Sequence, residues 1–329
     1  MKKTVLIASA TFDEHAFGPV ATLLEQKGYP VVVYLTDRLL SGEDRFTIDL
    51  CNAVPAILYN ERSIAPDDLS AAWFRKIGSF GIADVETQLA KQLYLNNEVR
   101  ALHDTIWSQF YPEEVWLSSP AKLARADRKL GQLVLARQVG FNVPETIVSS
   151  DWDKISSTLI TNNNAKIIVK MMRGIISEGA QIKALHTTIL DQQRIDSLKG
   201  YTSPFPGLYQ PLVQKAREWR VTVVGEDVFP VAIYTAESAK DDWRKHQSSD
   251  AVKFKRGELP DEIAALCIAY LRATGLRFGA FDFAERPTGE IVFLECNPNG
   301  QYGWAEEELN FPISDSIASE LIRIGRERG

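Results

Sequence analysis

Phe278-Gly-Ala-Phe-Asp-Phe-Ala-Glu-Arg-Pro-Thr-Gly-Glu-Ile-Val-Phe-Leu-Glu-Cys-Asn-Pro-Asn-Gly-Gln-Tyr-Gly-Trp304 carries two apolar runs, Ala280–Ala284 and Ile291–Leu294, on either side of Pro287-Thr288-Gly289-Glu290. Apolar segments bounded by Pro and Gly read as a β-hairpin. With Thr288 and Gly289 at the centre of a two-residue turn, Phe283 faces Leu294 and Asp282 faces Glu295. Directly opposed residues project to one side of a sheet, so the two carboxylates converge. Asn297, two residues further on, returns to that face, while alternation turns Cys296 to the packed one. Two carboxylates and an amide oxygen form a hard-oxygen set suited to Mg²⁺, which completes its shell with water and phosphate oxygens. The competing reading of paired acids on a strand is a solvated face or half of a salt bridge.

The chain has 329 residues, a length that points to about two domains and a sizeable core. Apolar and charged fractions of 45% and 24% place it among ordinary soluble globular proteins. The net charge of −6 and the lack of a long Lys/Arg run argue against a nucleic-acid partner. Cys51, Cys267 and Cys296 have no CxxC spacing, which fits reduced thiols in a cytoplasmic protein. The opening Met-Lys-Lys-Thr-Val-Leu-Ile-Ala-Ser-Ala has too short an apolar core for a signal peptide, and no apolar run is long enough for a membrane span.

Thr4–Ala8, Phe17–Gln26 and Val31–Leu35 read as strand, helix and strand, a βαβ unit with a parallel sheet. The loop after the first strand has no GxGxxG, so Asp37 at the end of the second strand is only a weak sign of a dinucleotide site, and a core-building domain is the better reading. Pro55–Tyr59 and Ala71–Arg75 read as further strands, with Arg75 on the face of Trp73 and a surface ion pair as its plain reading. Helices are expected over Asp84–Trp107, Leu123–Val139, Thr187–Leu198, Pro260–Thr274 and Ile313–Arg323. Lys166–Lys170 reads as a strand ending in Lys, followed by a loop with Gly174 and Gly179 and by a strand at Gln181–Ala184. Loop amides and an ammonium group suit phosphate oxygens, although the loop is not a Walker A sequence. Leu208–Val213 is a strand, and Glu218–Tyr234 a hairpin turning at Gly225-Glu226-Asp227 that puts Glu218 and Arg220 on one face, where they can pair.

Lys129, then Lys170 with its glycine loop, then a strand pair with Asp282, Glu295 and Asn297 occur in that order. In this the sequence resembles the ATP-grasp ligases, and more narrowly the maturases of microviridin-type ribosomal peptides, the graspetides. The resemblance rests on Lys129-Leu-Gly-Gln-Leu-Val-Leu-Ala with Gly140-Phe-Asn-Val-Pro144, on Arg217-Glu-Trp-Arg-Val-Thr-Val-Val-Gly225, and on Glu295-Cys-Asn-Pro-Asn-Gly-Gln301 with Pro312-Ile-Ser314. These cover about 115–329, and Trp73-Phe-Arg75 extends the match to the N-terminal part.

The fold so implied is α/β: an N-terminal βαβ domain at 1–117, a central α+β ATP-grasp subdomain at 118–206, and a C-terminal mixed-sheet subdomain with the metal site at 207–329. The resemblance implies that Lys129 and Lys170 contact ATP phosphates, that Gly174–Gly179 is the phosphate loop, and that the backbone at Gln210, Pro211, Leu212 and Val213 holds the adenine edge. It gives Glu218 the ribose, Asp282, Glu295 and Asn297 two Mg²⁺, and Arg220 the transferred phosphate. Arg75, Trp243 and Arg244 are the expected grips on an acidic core peptide. Leader recognition is assigned to the 187–198 and 219–234 regions. Pro211 stands where the hinge usually has an acid, and Gly303 where a bulkier residue is common. The implied reaction is acyl-phosphate ligation of a precursor peptide with a leader and an acidic and hydroxyl-bearing core, by a homodimer. Alternatives are a glutamate-adding or dipeptide ligase, and a nucleotide-binding module without catalysis.

Overall fold

The computed structural model describes residues 2–51, 55–76, 89–160, 166–170, 172, 175–178, 181–184, 187–236 and 251–328. The chain opens with strand β1 (Thr4–Ser9), helix Glu14–Gln26 and β2 (Val31–Leu35), which pairs parallel to β1. Gly28, at φ +77°, ends that helix's turn back to the sheet. β3 (Phe46–Asp49), β4 (Ala56–Tyr59) and β5 (Arg62–Ser63) form a small antiparallel sheet. β6 (Leu69–Phe74) then returns to the far side of β1, giving the order β2-β1-β6. The long helix runs Leu89–Thr105 and continues as a π-helical segment over Ile106–Phe110; the start expected at Asp84 lies outside the described residues.

The helix expected over Leu123–Val139 is two helices, Pro120–Ala126 and Lys129–Val139. Arg128 is extended at the break, and Gln132 Nε2 donates to the buried carbonyl of Ala126 at 2.8 Å, satisfying a group the break would leave open. The central sheet contains β7 (Ile147–Asp151), β8 (Ile167–Lys170), and, after the two-stranded β9 (Ile175–Glu178) and β10 (Gln181–Ala184), β11 (Thr188–Leu190) and β12 (Thr202–Pro211), in the order β11-β8-β12-β7. Thr187–Leu198 is therefore not one helix. Its β-branched start pairs with β8, and only Gln192–Ser197 is helical, capped by Asp191, which accepts from Arg194 N–H at 3.0 Å. The expected boundary at 206 falls inside β12.

β13 (Arg217–Val224), β14 (Asp227–Thr235), β15 (Val252–Arg256), β16 (Phe278–Glu285) and β17 (Ile291–Asn297) form the last sheet, ordered β15-β14-β13-β16-β17 and antiparallel throughout. Its two faces differ. Trp219, Val221, Val223, Phe281, Phe283, Phe293 and Cys296 pack under helices Lys129–Val139 and Asp261–Thr274, with Phe141 and Tyr270 among them. On the other face Val224, Phe229, Val231, Ile233 and Phe278 join Val5, Ile7 and Phe17 of the N-terminal unit through helix Ile313–Arg328. That closing helix is longer than the Ile313–Arg323 expected, and its Ile317, Leu321 and Ile324 are fully buried. The N-terminal and C-terminal sheets thus share one core. The polar remainder of this second face is where the candidate site lies.

The β16–β17 hairpin has the expected facing pair by a different route. Its loop is Pro287-Thr288-Gly289, three residues with Gly289 at φ +87°, closed by Arg286 N–H to Glu290 O at 2.8 Å. That loop sets Phe283 opposite Phe293, not Leu294. A one-residue irregularity between Asp282 and Phe283 then absorbs the offset, and Asp282 stands opposite Glu295. Two departures of opposite sense cancel.

Candidate active site

Register across three neighbouring strands builds a row. Arg220 of β13 stands opposite Asp282 of β16, and Asp282 opposite Glu295 of β17. The next row on the same face is Thr222, Ala280 and Asn297. Arg220 and Asp282 are only 6% and 4% exposed, and Arg220 Nη1 reaches both carboxylate oxygens, at 2.9 and 3.1 Å. Arg220 therefore pairs with Asp282 and not with Glu218, which instead accepts from Lys215 Nζ at 2.6 Å. Arg220 Nε is buried and has no hydrogen-bond partner among the described residues. An orphaned charged donor of this kind carries a desolvation penalty that an anionic ligand would relieve.

Asn297 ends β17 and begins a tight loop. Its Oδ1 accepts from Asn299 N–H at 3.0 Å, an Asx-type turn that leaves the oxygen's second lone pair for another partner. Gly300 packs on Ala280 so closely that a Cβ would lie 2.4 Å from Ala280 Cβ and 3.0 Å from Arg220 Nη2. Arg220 Nη2 also donates to the Gln301 carbonyl at 3.2 Å. Cys296 faces away, its N–H and C=O both held by the Gln132 side chain, at 3.1 and 2.7 Å. This amide clamp ties the helix that begins at Lys129 to the strand that carries Glu295 and Asn297.

Arg75 does not sit where a substrate grip is expected. It is 1% exposed, and its Nε lies 3.0 Å from the equally buried Asp13 carboxylate. Its other nitrogens donate to the carbonyls of Asn299 and Gly300 and to Gln301 Oε1. Burial pulls the guanidinium below its ordinary range, opposed by the charge of Asp13. The neighbouring Lys76, which sequence reasoning passed over, is half-buried. Burial and then the positive charge of Arg75 hold its amine below the usual lysine range, with Arg220 acting in the same direction and Asp13 and Asp127 opposing. The one signal for it in the sequence is its place directly after Trp73-Phe74-Arg75.

In the central part, Lys170 is the last residue of β8, opposite Leu208 of β12, and Lys129 is the first residue of its helix; both are half-buried. Leu212 N–H bonds to the Lys166 carbonyl at 2.8 Å, so that amide is taken up by the sheet. Gln210 is buried with its side chain donating to Thr146, and Pro211 has only a carbonyl to offer. Gly174, Gly179, Trp243 and Arg244 lie outside the described residues.

Among the described residues no group of three or more His, Cys, Asp and Glu is placed to hold a metal ion. Asp282, Glu295 and the amide oxygen of Asn297 fit an ion that takes few protein oxygens and fills its shell from phosphates and water, which is the habit of Mg²⁺. The orphaned Arg220 Nε beside them fits an anionic oxygen.

Comparison with known proteins bears on the fold. A RiPP-associated ATP-grasp ligase from Chryseobacterium gregarium, in complex with ADP and a leader and core peptide, superposes with a TM-score of 0.84, covering 98% of this chain and 97% of that one at 24% identity. The chain has the ATP-grasp fold. The macrocyclase MdnC of Microcystis aeruginosa, bound with precursor peptide MdnA, matches with a TM-score of 0.79 over 97% of this chain and 99% of its own, also at 24% identity. A probable alpha-L-glutamate ligase from Trichodesmium erythraeum is 24% identical over 218 residues, 65% of this chain and 70% of that protein. No protein-family model matches the chain. Among the described residues no helix is long and apolar enough to cross a membrane.

Proposed function

We propose that this ATP-grasp chain is an ATP-dependent ligase that closes rings in a ribosomally made precursor peptide, activating Asp or Glu side chains as acyl phosphates and joining them to Ser/Thr hydroxyls or a Lys amine. The observation that carries this reading is the row of buried Arg220 and Asp282 with half-exposed Glu295, beside Asn297, on a fold that matches peptide-bound ATP-grasp ligases over nearly the whole chain. Asp282, Glu295 and Asn297 would hold Mg²⁺, in the proposal two ions, which when bound neutralises charge on the nucleotide phosphates. Lys170 and Lys129 supply further positive charge at those phosphates. Gln210, Pro211, Leu212 and Val213 are the backbone edge for adenine, Leu212 through its carbonyl alone, and Glu218 the ribose contact.

A peptide carboxylate oxygen attacks the γ-phosphorus and ADP leaves, forming an acyl phosphate. A hydroxyl or amine then attacks the acyl carbon, inorganic phosphate leaves, and the nucleophile gives up its proton. In this reading Arg220 steadies the transferred phosphoryl oxygens, and its unsatisfied Nε supports that role. Exclusion of water protects the mixed anhydride between the two steps.

The three-part organisation expected at 1–117, 118–206 and 207–329, and a homodimer, belong to the same proposal. Incubation with ATP, Mg²⁺ and a candidate precursor should lower the peptide mass by one water, ~18 Da, per ring, because condensation through an acyl phosphate expels water. The similarity to a probable glutamate ligase favours a second reading, addition of an amino acid, which would raise the substrate mass instead.

A further inference from the structure

Asp13, Arg75 and Gln301 close a ring of three side chains between the N-terminal unit and the loop that follows β17. Arg75 pairs with Asp13 Oδ2 at 3.0 Å and donates to Gln301 Oε1 at 2.9 Å, and Gln301 Nε2 donates to Asp13 Oδ1 at 2.9 Å. Neither Arg75 nor Asp13 exposes its side chain, so no peptide can reach them without taking the loop apart. The remaining guanidinium nitrogen holds two loop carbonyls, Asn299 at 2.7 Å and Gly300 at 3.0 Å. Only a planar fork of this size can lie against a carboxylate while donating to an amide oxygen and two carbonyls; a lysine ammonium is a point donor. Tyr302, its ring centroid 5.5 Å from the guanidinium, closes the pocket and donates its hydroxyl to Ala16 O at 2.7 Å.

The held peptide units adjoin those that orient the site. Asn299, whose carbonyl Arg75 holds, donates its N–H to Asn297 Oδ1, and Gln301, whose side chain Arg75 holds, accepts from Arg220 through its carbonyl. We infer that Arg75, with Asp13 and Gln301, is a positioning residue: a strut from the N-terminal unit that fixes the 297–301 loop and thereby aims Asn297 at the metal and Arg220 at the phosphate. This rests on the ligase reading for what the loop binds, and not for the strut itself.

The experiment uses the full chain and two variants. Arg75→Lys keeps the charge opposite Asp13 and loses the fork. Gln301→Ala removes one corner at a partly exposed position and leaves the buried ion pair intact, so it keeps the test open where Arg75→Lys does not fold. Hydrogen exchange of the 297–303 amides is measured alongside calorimetric binding of ADP across a Mg²⁺ titration. The expected result is faster exchange confined to 297–303 and a rise of about 10-fold in the Mg²⁺ needed for half-maximal ADP binding, the size typical of losing a partner that orients a metal ligand. Unchanged exchange at 297–303 in the folded variants overturns the strut. Faster exchange with an unchanged Mg²⁺ requirement overturns its role in aiming Asn297. Failure of the unaltered chain to bind ADP with Mg²⁺ counts against the ligase reading, and the exchange result still decides the strut.

Discussion

Asp282 and Glu295 face each other across one strand pair, yet they answer to different forces. Asp282 neutralises a buried guanidinium, so Asp282→Ala leaves Arg220 charged and unpaired and should cost roughly 3–5 kcal/mol of stability, seen as a lower denaturant midpoint. Glu295 is half-exposed at its strand's polar end. Glu295→Ala, like Lys170→Ala, should abolish ATP-dependent product while the melting temperature stays within a few degrees of the parent. Full activity in either variant would remove that residue from the site. Arg75 carries the opposite lesson. Its residue type and its place after Trp73 suit a carboxylate grip equally well, and only the Asp13 partner, 62 positions earlier in the chain, decides that it is a strut. No periodicity within Trp73-Phe-Arg75 encodes that meeting.

At the scale of elements, the β16–β17 hairpin was legible because its apolar runs and its Pro-Thr-Gly turn agree. The Asp282–Glu295 pairing was legible too, although the two-residue turn behind it was not what the chain adopts. Gly289 in the left-handed region makes a three-residue loop, and the irregularity beside Asp282 restores the register. The 187–198 segment departs from its helical apolar spacing because Thr188–Leu190 gains more by pairing with the buried edge of β8 than by continuing a helix. The break at Asp127-Arg128 was invisible for a related reason. It is repaired by Gln132, whose amide also clamps the backbone of Cys296. Gln132→Ala strips partners from buried backbone groups on both elements, each worth ~1–3 kcal/mol when left unsatisfied. It should therefore lower the unfolding midpoint more than Leu130→Ala, an exposed position on the same helix.

At the scale of the molecule, helix Ile313–Arg328 welds the first sheet to the last, so the N-terminal unit is part of the site's foundation. That unit also holds a pH-sensitive group. His103 is buried among Tyr34 and Trp107, with Tyr34 Oη 2.7 Å from its Nε2, and burial holds its pKa at about 4 against an ordinary 6.5. A folded-state pKa below the unfolded value means the unfolded chain takes up the proton first as pH falls. The stability is thus fully present above pH 6.5 and is lost between about 6.5 and 4. Between pH 7 and pH 5 the loss should be about 2 kcal/mol. Urea titrations at the two pH values check this, and His103→Gln should flatten that part of the slope; an unchanged slope would clear His103 of the effect.

The sequence by itself determined the β16–β17 hairpin and the facing of Asp282 and Glu295 with Asn297 on the same side, because turn chemistry and alternation are local and each is written within a few residues; the ATP-grasp class was legible only as a resemblance of longer segments. The tertiary structure alone decided that Arg220 belongs to Asp282, that Gln132 holds Cys296, and that Arg75 braces the loop after Asn297. Those meetings join positions far apart in the chain, and they are set by which buried donor finds an acceptor once the shared core has closed around them.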